Sequence, residues 1–253
     1  MKVMSCNLRY DNPSDGENSW RNRSHIMKKI WDENTPDVIG IQEGLPHQIE
    51  ELKKEFNNTY EYIGEGRERD YQGEQVGIFF KSKKFNLLDF GHFWLSKTPN
   101  VPGSKDFNSN VPRMVSWLLL SNEKIRNSLL FLNTHLDNES KIAREWSIDI
   151  ITEFLQNNYL DRDGVVITGD FNEKPNSRII NEFIQRNNLV NSLDRCVNGH
   201  KKTYHGFSGD GSITVDYIFC SQNLSINKCK IITDSVNGNF PSDHFPIYSI
   251  LKI

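Results

Sequence analysis

The sequence lacks two features that would point to nucleic acid or to a membrane. Its 253 residues contain 30 lysines and arginines against 33 aspartates and glutamates, which gives a formal charge of -3. Without a general basic surface, tight binding to long nucleic acid through its phosphates is not expected. No apolar run approaches the ~20 residues that a membrane-spanning helix needs. We therefore expect no membrane-spanning helix and no basic surface for binding long nucleic acid.

Cysteine is also sparse, and its spacing excludes the usual cysteine sites. The four cysteines form no Cys-x-x-Cys pair, and two of them lie in apolar, strand-like runs. They are Cys6, Cys196, Cys220 and Cys229. This pattern predicts buried thiols, not a disulfide framework or a zinc site. No apolar signal-peptide segment precedes the strand that starts at Lys2, so we expect a cytoplasmic protein. No obligate protein partner is evident from the sequence, and we expect none.

What the sequence does contain is a large apolar fraction arranged in alternating strands and helices. Hydrophobic residues make up 36% of the chain, including 15 Phe and 5 Trp, which is ample for a sizeable core. Strands at residues 2–6 and 38–41 alternate with helices that begin at Trp20 and Pro46, which favours an α/β layer. We find no linker or repeat, so we expect one domain over residues 1–253. Further strands are expected at 76–80, 85–95, 114–120, 128–133, 165–168, 213–220, 226–233 and 246–251, and further helices around 143–154 and 180–184.

The stretch Val165–Asn172 is the clearest functional signal. A β-branched apolar run stops at Gly169, and Asp170 and Asn172 follow. Residues two apart in an extended segment point to the same side, and binding crevices lie at such strand ends. A carboxylate and an amide converging there suit a hard cation and a phosphate oxygen. Taken alone, the octet is equally compatible with an Asp/Asn turn after a core strand.

The same pattern recurs along the chain, because polar residues with metal or phosphate chemistry follow other apolar strands. They are Asn7, Glu43, His135 and the pair Asp243-His244. Each one singly has an ordinary explanation as a turn residue, a solvated acid or a hydrogen-bonded histidine. The agreement of residue type, order and strand-end position indicates one shared site.

Three charged residues outside these strand ends are also candidates. Asp216 lies within the apolar run 214–219, where a carboxylate would be costly unless paired, so we expect a histidine partner. Arg113 ends the long loop 96–112, and Arg69 lies in a polar loop. Both arginines are candidate contacts for a substrate phosphate by loop position and charge, and solvated surface arginines are the alternative.

Taken together, these motifs resemble the endonuclease/exonuclease/phosphatase superfamily, and the resemblance spans residues 1 to about 251. The start MSCNLRY, the segment IGIQEG and the loop FWLSKTP…VPR look most like bacterial-type metal-dependent hydrolases of undefined substrate. The matching motifs are Asn7, Gln42-Glu43, Asn133-Thr134-His135, Gly169-Asp170-Phe171-Asn172, Asp216-Tyr217 and Ser242-Asp243-His244.

The resemblance implies a fold and a metal-dependent reaction. The fold would be a four-layered α/β sandwich, with two mixed, mostly antiparallel sheets packed face to face and helices outside. The cofactor would be Mg²⁺, with Mn²⁺ as an alternative. Glu43 would be the principal metal ligand, with Asn7 beside it and Asp243 nearby. A few carboxylates with water and substrate oxygens match the preference of Mg²⁺.

The resemblance also implies roles for the remaining motif residues. Asp170 would orient or deprotonate the attacking water, and Asn172 would hold that water or a phosphate oxygen. His244, held by Asp216, would lie against the scissile phosphate, and His135 would contact a phosphate oxygen from the other side. Charge gathers on the phosphate oxygens during hydrolysis, so donors placed around them stabilise the transition state.

Two further positions, Glu74 and Arg9, are compared with particular members of the superfamily. In relatives, a glutamate before the VGIFF-type strand pairs with the first histidine, and Glu74 is the matching position for a partner of His135. In abasic-site endonucleases an aspartate follows the first asparagine by two residues, whereas this chain has Arg9 there. Abasic-site repair is therefore not expected.

The sequence thus predicts a phosphodiester hydrolase acting on a nucleotide, a short nucleic acid or another small phosphate ester. Two alternatives stay open: a phosphomonoesterase acting on sugar or inositol phosphates, and a catalytically silent binding scaffold. The scaffold is disfavoured because Glu43, Asp170 and His244 are all present. Fold alone does not name the substrate.

Overall fold

The computed structural model describes residues 1–123, 125–158, 162–196 and 202–252. Two six-stranded sheets face each other, which confirms the expected α/β sandwich. The described strands are β1 Lys2–Asn7, β2 Val38–Gly44, β3 Glu61–Gly66, β4 Gln75–Phe80, β5 Asn86–Trp94, β6 Met114–Asn122, β7 Ile125–His135, β8 Gly164–Asp170, β9 Leu189–Asn191, β10 Asp216–Ser221, β11 Ser225–Ile231 and β12 Ile247–Lys252. The described α-helices are α1 Trp20–Asn34, α2 Pro46–Glu55, α3 Lys141–Asn158 and α4 Arg178–Arg186.

Each sheet contains one parallel pair among antiparallel neighbours. The first sheet has the order β11-β12-β1-β2-β4-β3, with β1 parallel to β2. The second has the order β5-β6-β7-β8-β10-β9, with β7 parallel to β8. Because the two strands of a parallel pair end at the same edge, the polar residues that terminate them lie side by side.

Alternation along β1 shows how the layers are built. Val3 joins the core between the sheets, whereas Met4 and Cys6 belong to the cluster that packs against α1 and α2. Side chains alternate along a strand, so Asn7 points to the same side as Val3. The strand therefore places Asn7 at the end of the space between the two sheets.

A buried polar layer connects the sheets beneath that end. Asn133 donates from Nδ2 to the carbonyl oxygen of Ile41 at 2.7 Å, and its Oδ1 accepts from Gln42 Nε2 at 2.7 Å. Thr168 also donates to Asn133 Oδ1, at 2.9 Å. Gly40 permits this approach, because a Cβ there would lie 2.0 Å from Thr168 Oγ1. Buried hydrogen bonds of this kind fix the relative placement of the layers.

The structure adds two strands that the sequence did not indicate. They are β3, which pairs antiparallel with β4, and the short β9, which pairs with β10. Among the described helices, none is both long and apolar enough to cross a membrane.

Candidate active site

The candidate site lies where strand ends of both sheets meet. His135 ends β7 and Asp170 ends β8, and the two are direct register partners. Asp216 begins β10 and is also in register with Asp170. The second sheet thus places three predicted residues in adjacent positions on neighbouring strands.

Asn7 links the two sheets at this point. Its Nδ2 donates to Glu43 Oε1 at 2.9 Å and to Asp170 Oδ2 at 3.1 Å. Its Oδ1 accepts from the backbone nitrogen of Arg9 at 2.8 Å. Asn7 therefore holds one carboxylate from each sheet at a fixed separation.

Glu43 occupies a strained backbone conformation that aims it into the site. Its φ is 62°, a left-handed value that is uncommon for a residue other than glycine. The pairing of β2 with β4 shifts register between Ile41 and Gly44, which marks a bulge at Glu43. Tyr10 donates its backbone N–H to Glu43 Oε2 at 3.3 Å. Such strain persists only where surrounding contacts hold it, and it is concentrated at functional sites.

His244 and Asp216 form a buried pair. His244 Nδ1 lies 2.9 Å from Asp216 Oδ2, and its Nε2 lies 3.8 Å from Asp170 Oδ2. Burial lowers the pKa of His244, but the neighbouring carboxylates, Asp216 first, oppose this and raise the pKa well above its ordinary value. The imidazolium form is therefore favoured at neutral pH, with a proton available at Nε2.

The pKa values of Asp170 and His135 are shifted in opposite directions, upwards for Asp170 and downwards for His135. Burial, followed by the charge of Asp216, raises the pKa of Asp170 to about 7. Burial, followed by the charge of Arg113, lowers the pKa of His135 well below its ordinary value, so this imidazole is neutral. His135 Nε2 lies 3.6 Å from Asp170 Oδ2. A carboxyl group poised near neutral pH is suited to proton transfer.

Asn172 connects this pair to the loop that follows it. Its φ of 48° is left-handed, a conformation that asparagine tolerates better than most residues. Its backbone N–H donates to Asp170 Oδ1 at 2.9 Å, and its Nδ2 donates to the carbonyl oxygen of Leu136 at 3.0 Å. The same Nδ2 lies 3.1 Å from His135 Nε2, which accepts from it in the neutral form. The amide thus fixes the orientation of both Asp170 and His135.

The site opens into a cavity of about 620 Å³. Its size falls in the range typical of small-molecule sites. All the predicted site residues line it except three: Asn7 and Asp216, which lie behind the wall, and Arg69. Arg67 and Tyr204 line it as well, and no motif in the sequence marks either of them. Tyr204 packs edge-on against His244, with ring centroids 5.0 Å apart. The site residues in the wall are Glu43, Glu74, Arg113, His135, Asp170, Asn172, Asp243 and His244.

Glu74 pairs with an arginine and not with His135, so the predicted pairing was wrong. Glu74 Oε2 lies 2.7 Å from Arg67 Nη1. The reason is the β3–β4 hairpin, in which Arg67 donates its backbone N–H to the carbonyl of Glu74 and faces it across the turn. The histidine is oriented by Asn172 instead.

The two predicted phosphate-contacting arginines have different environments. Arg113 is only 6% exposed and donates from Nη2 to Asn138 Oδ1 at 3.0 Å. Its Nη1 is buried and has no hydrogen-bond partner among the described residues, its Nε lies 3.9 Å from Asp137 Oδ2, and the residue lines the cavity. Arg69 is exposed and lies outside the wall, because its backbone packs against Gly103 and its side chain is left on the surface. The structure therefore retains Arg113 as a candidate and replaces Arg69 by Arg67.

Asp216 does not lie in the middle of a strand, which corrects the expectation. It begins β10, and the residue before it, Val215, accepts at its carbonyl from Phe171 N at 2.8 Å. Thr203 holds this approach: its buried Oγ1 accepts from Val215 N at 3.0 Å and from Asp216 N at 3.2 Å. Its carbonyl accepts from Phe245 N at 2.7 Å. Thr203 thus ties the residue bearing the carboxylate to the residue after His244.

Replacing Thr203 with valine is expected to lower the free energy of unfolding by about 2 kcal/mol, because two buried N–H groups lose their acceptor. Thr203→Ser keeps the hydroxyl and should lose less. Urea denaturation of the three proteins measures the difference. Because valine keeps the methyl group and serine keeps the hydroxyl, a loss of stability in Thr203→Ser but not in Thr203→Val would show that the methyl group, not the hydroxyl, is what matters.

The donor set fits a hard divalent cation. Glu43, His135 and Asp170 each offer one ligand atom, and these atoms lie within 4.8 Å of one another. A second group, Asp170, Asp216 and His244, meets the same distance, but its histidine already bonds Asp216 and favours its charged form. Carboxylate oxygens next to a water-accessible cavity are the ligands that Mg²⁺ prefers. The Glu43 side of the cavity is therefore the better candidate.

Comparison with known proteins agrees with this architecture. The sequence profile described as Endonuclease/Exonuclease/phosphatase family matches residues 4–244. A mannosyl-6-phosphatase from Bacteroides thetaiotaomicron is 30% identical, with a TM-score of 0.93 and 100% of both chains covered. An endonuclease/exonuclease/phosphatase family protein from the same organism is 31% identical, with a TM-score of 0.91, 99% of this chain and 97% of that chain covered. "Protein angel" from Drosophila melanogaster is 22% identical over 93% of this chain and 73% of its own length.

Proposed function

The chain belongs to the endonuclease/exonuclease/phosphatase family, whose members are phosphoester hydrolases, and from that premise we propose that it is a divalent-metal-dependent phosphoesterase. One observation carries the proposal. A single carboxylate oxygen, Asp170 Oδ2, lies 3.1 Å from Asn7 Nδ2, 3.6 Å from His135 Nε2 and 3.8 Å from His244 Nε2. Asp170 as a base, His244 as a hydrogen-bond donor and His135 as a neutral imidazole thus converge on one point, which suits attack of water on phosphorus.

In this proposal the metal is Mg²⁺, with Mn²⁺ as the alternative, and it is held on the Glu43 side of the cavity. Glu43 and Asp243 supply carboxylate oxygens, and Asn7 keeps Glu43 in place through its amide. The bound ion supplies positive charge that polarises the phosphoryl group and stabilises its oxygens. Direct ligation by Asn7 stays a prediction, because its Oδ1 accepts from Arg9 N in this structure.

The protein residues carry the proton transfers and the orientation. Asp170 accepts a proton from the attacking water, for which its pKa of about 7 is suitable. Asn172 orients Asp170 through its backbone N–H. His244, whose imidazolium is maintained by Asp216, donates from Nε2 to a phosphate oxygen. Neutral His135 lies on the other side of Asp170, where it contacts the phosphate or its water without adding charge.

In this proposal two arginines form the part of the cavity that binds the phosphate group. Arg113 lines the cavity and has a buried Nη1 without a hydrogen-bond partner among the described residues, and Arg67 lines the same cavity beside Glu74. A buried guanidinium N–H group without an acceptor is costly, and a bound phosphate oxygen would satisfy it. Guanidinium groups also match the geometry of phosphate better than ammonium groups do.

The substrate class we favour is a sugar phosphate monoester. The support is the similarity, over the full length of both chains, to a mannosyl-6-phosphatase. The cavity of about 620 Å³ has room for more than a phosphate, and Tyr204 at its wall offers an aromatic face to a sugar ring. A small phosphodiester, the class that the sequence favoured, is the second candidate, because a cavity of this size also has room for a second ester group.

The test is a substrate panel assayed with Mg²⁺, with Mn²⁺ and with EDTA. It contains mannose 6-phosphate, p-nitrophenyl phosphate, bis-p-nitrophenyl phosphate, an inositol phosphate and a short single-stranded oligonucleotide. We expect turnover of the monoesters that EDTA abolishes and that Mg²⁺ restores. Preference for the diester or the oligonucleotide would assign the protein to phosphodiester substrates instead of monoesters. No turnover of any member of the panel would favour the catalytically silent scaffold.

A further inference from the structure

A buried arginine of α1 bonds three segments of the chain at once. Arg23 is only 1% exposed, and no carboxylate of the described residues lies within 4.0 Å of its guanidinium. Backbone carbonyl oxygens accept its hydrogen bonds instead: Nε donates to Asn18 at 2.8 Å, and Nη2 donates to Arg9 at 2.6 Å. Nη1 donates to two carbonyls, those of Leu8 at 2.5 Å and Pro241 at 2.8 Å. Because a buried charge is costly unless it is hydrogen-bonded, these segments must stay close to the guanidinium.

The two carbonyls that Nη1 joins belong to segments that carry residues of the candidate site. One follows Asn7, whose amide holds Glu43, and the other lies two residues before Asp243. These segments are far apart in the sequence, at the two ends of the chain. A single planar group therefore fixes the end of β1 relative to the turn that bears Asp243.

A second buried side chain holds the same segment from α2. Gln48 is fully buried, and its Nε2 donates at 3.1 Å to the carbonyl oxygen of Arg9, which also accepts from Arg23 Nη2. Its Oε1 accepts from the backbone nitrogens of Asp11 and Leu45, both at 3.0 Å. Leu45 comes directly after β2. Gln48 therefore connects the segment after β1 to the segment after β2.

We propose that Arg23 is a positioning residue of the metal site and that Gln48 supports it. The two side chains hold the segments after β1 and β2 and before Asp243, so that Glu43 and Asp243 stay at the separation that a divalent ion needs. This inference rests on the proposed metal-dependent function. Neither Arg23 nor Gln48 lines the cavity, so both act through other residues and not on the substrate. Groups that orient metal ligands from behind typically change metal affinity by about 10- to 100-fold when they are replaced.

Lysine cannot do the work of Arg23, although it keeps the charge. Burial lowers the pKa of Arg23 to about 10, and the charge of Asp243 opposes this, so the guanidinium stays protonated at neutral pH. Its four hydrogen bonds leave from three different nitrogens. An ammonium group has three N–H donors on one nitrogen, so it cannot reach four carbonyls placed around a planar fork. Arg23→Lys therefore tests the geometry of the hydrogen bonds and not the charge.

The test measures the Kd for Mn²⁺ by isothermal titration calorimetry, with no substrate present. Arg23→Lys is expected to raise Kd by about 10-fold or more relative to the parent protein. Arg21→Lys, the same substitution at an exposed position of α1, should leave Kd unchanged. Ile30→Ala removes buried core contacts of the same helix, so it should lower the free energy of unfolding without changing Kd.

The outcomes separate this inference from the proposed function. No Mn²⁺ binding by the folded parent protein would refute the metal-dependent function itself. Binding by the parent with an unchanged Kd in folded Arg23→Lys would overturn only the positioning role. An equal rise in Kd for Ile30→Ala would overturn it too, because the effect would then follow stability alone. If circular dichroism shows that Arg23→Lys is unfolded, Gln48→Met replaces it: Kd should rise by a smaller factor, and a Kd equal to that of the parent would overturn the inference.

Discussion

Replacement of Asp170 by asparagine is expected to lower kcat by about 10³-fold, within the range that a positioned general base contributes. The substitution preserves volume but removes the group that accepts the proton of the attacking water. It also puts an amide N–H against donors, because both carboxylate oxygens accept hydrogen bonds, from Asn7 Nδ2 and from Asn172 N. Steady-state kinetics on the best substrate of the panel, with saturating Mg²⁺, measures the change.

The matched control is Asp89→Asn, the same substitution at an exposed position of β5. It should leave kcat and KM unchanged. A large fall in kcat for Asp170→Asn with little change in KM would place Asp170 in the chemical step. A kcat for Asp170→Asn close to that of the parent would exclude Asp170 as the base, and the water would then need another acceptor.

Much of the candidate site was predictable because it follows from strand geometry. An apolar run that ends in polar residues indicates a strand end, and parallel neighbours bring such ends to one edge. This is how Asn7 and Glu43 come together in the first sheet, and His135 and Asp170 in the second. Alternation along the strands then fixes which residues face the space between the sheets.

What could not be predicted depends on contacts between distant loops. Thr203 reaches Val215 and Asp216 from a loop of irregular structure, and no periodic pattern marks it. Similarly, Cys196 and Cys229 have sulfur atoms 3.0 Å apart, although their spacing in sequence gives no hint of it. Such contacts are set by the packing of whole elements rather than by local sequence.

The corrected pairing of Glu74 and the exposed position of Arg69 share a cause, since local backbone geometry decides both. Glu74 faces Arg67 across a hairpin whose first strand, β3, was not anticipated. The same hairpin leaves Arg69 on the surface against Gly103. Once a turn has set which residues oppose each other, a nearby cation outcompetes a more distant histidine.

Replacement of Asp216 by asparagine is expected to move the whole pH profile of kcat/KM to lower pH. In the parent protein the carboxylates raise the pKa of His244, so its protonated form persists below that raised pKa and is lost as pH rises through it. Without the charge of Asp216, burial dominates and the pKa falls, so the alkaline limb moves down. Burial and the charge of Asp216 also raise the pKa of Asp170 to about 7. Loss of the Asp216 charge therefore lowers the pKa of Asp170 and moves the acidic limb of the profile to lower pH as well.

The expected displacement is about 1 to 3 pH units, the range that a neighbouring charge supplies. Its direction at both limbs separates this role from simple damage to the fold, because a smaller folded fraction would scale the profile without moving it. Asp234→Asn, an exposed acid beyond β11, is the control and should leave both limbs in place. If only the acidic limb moved, Asp216 would act on Asp170 but not through His244, and the imidazolium would have no part in the reaction.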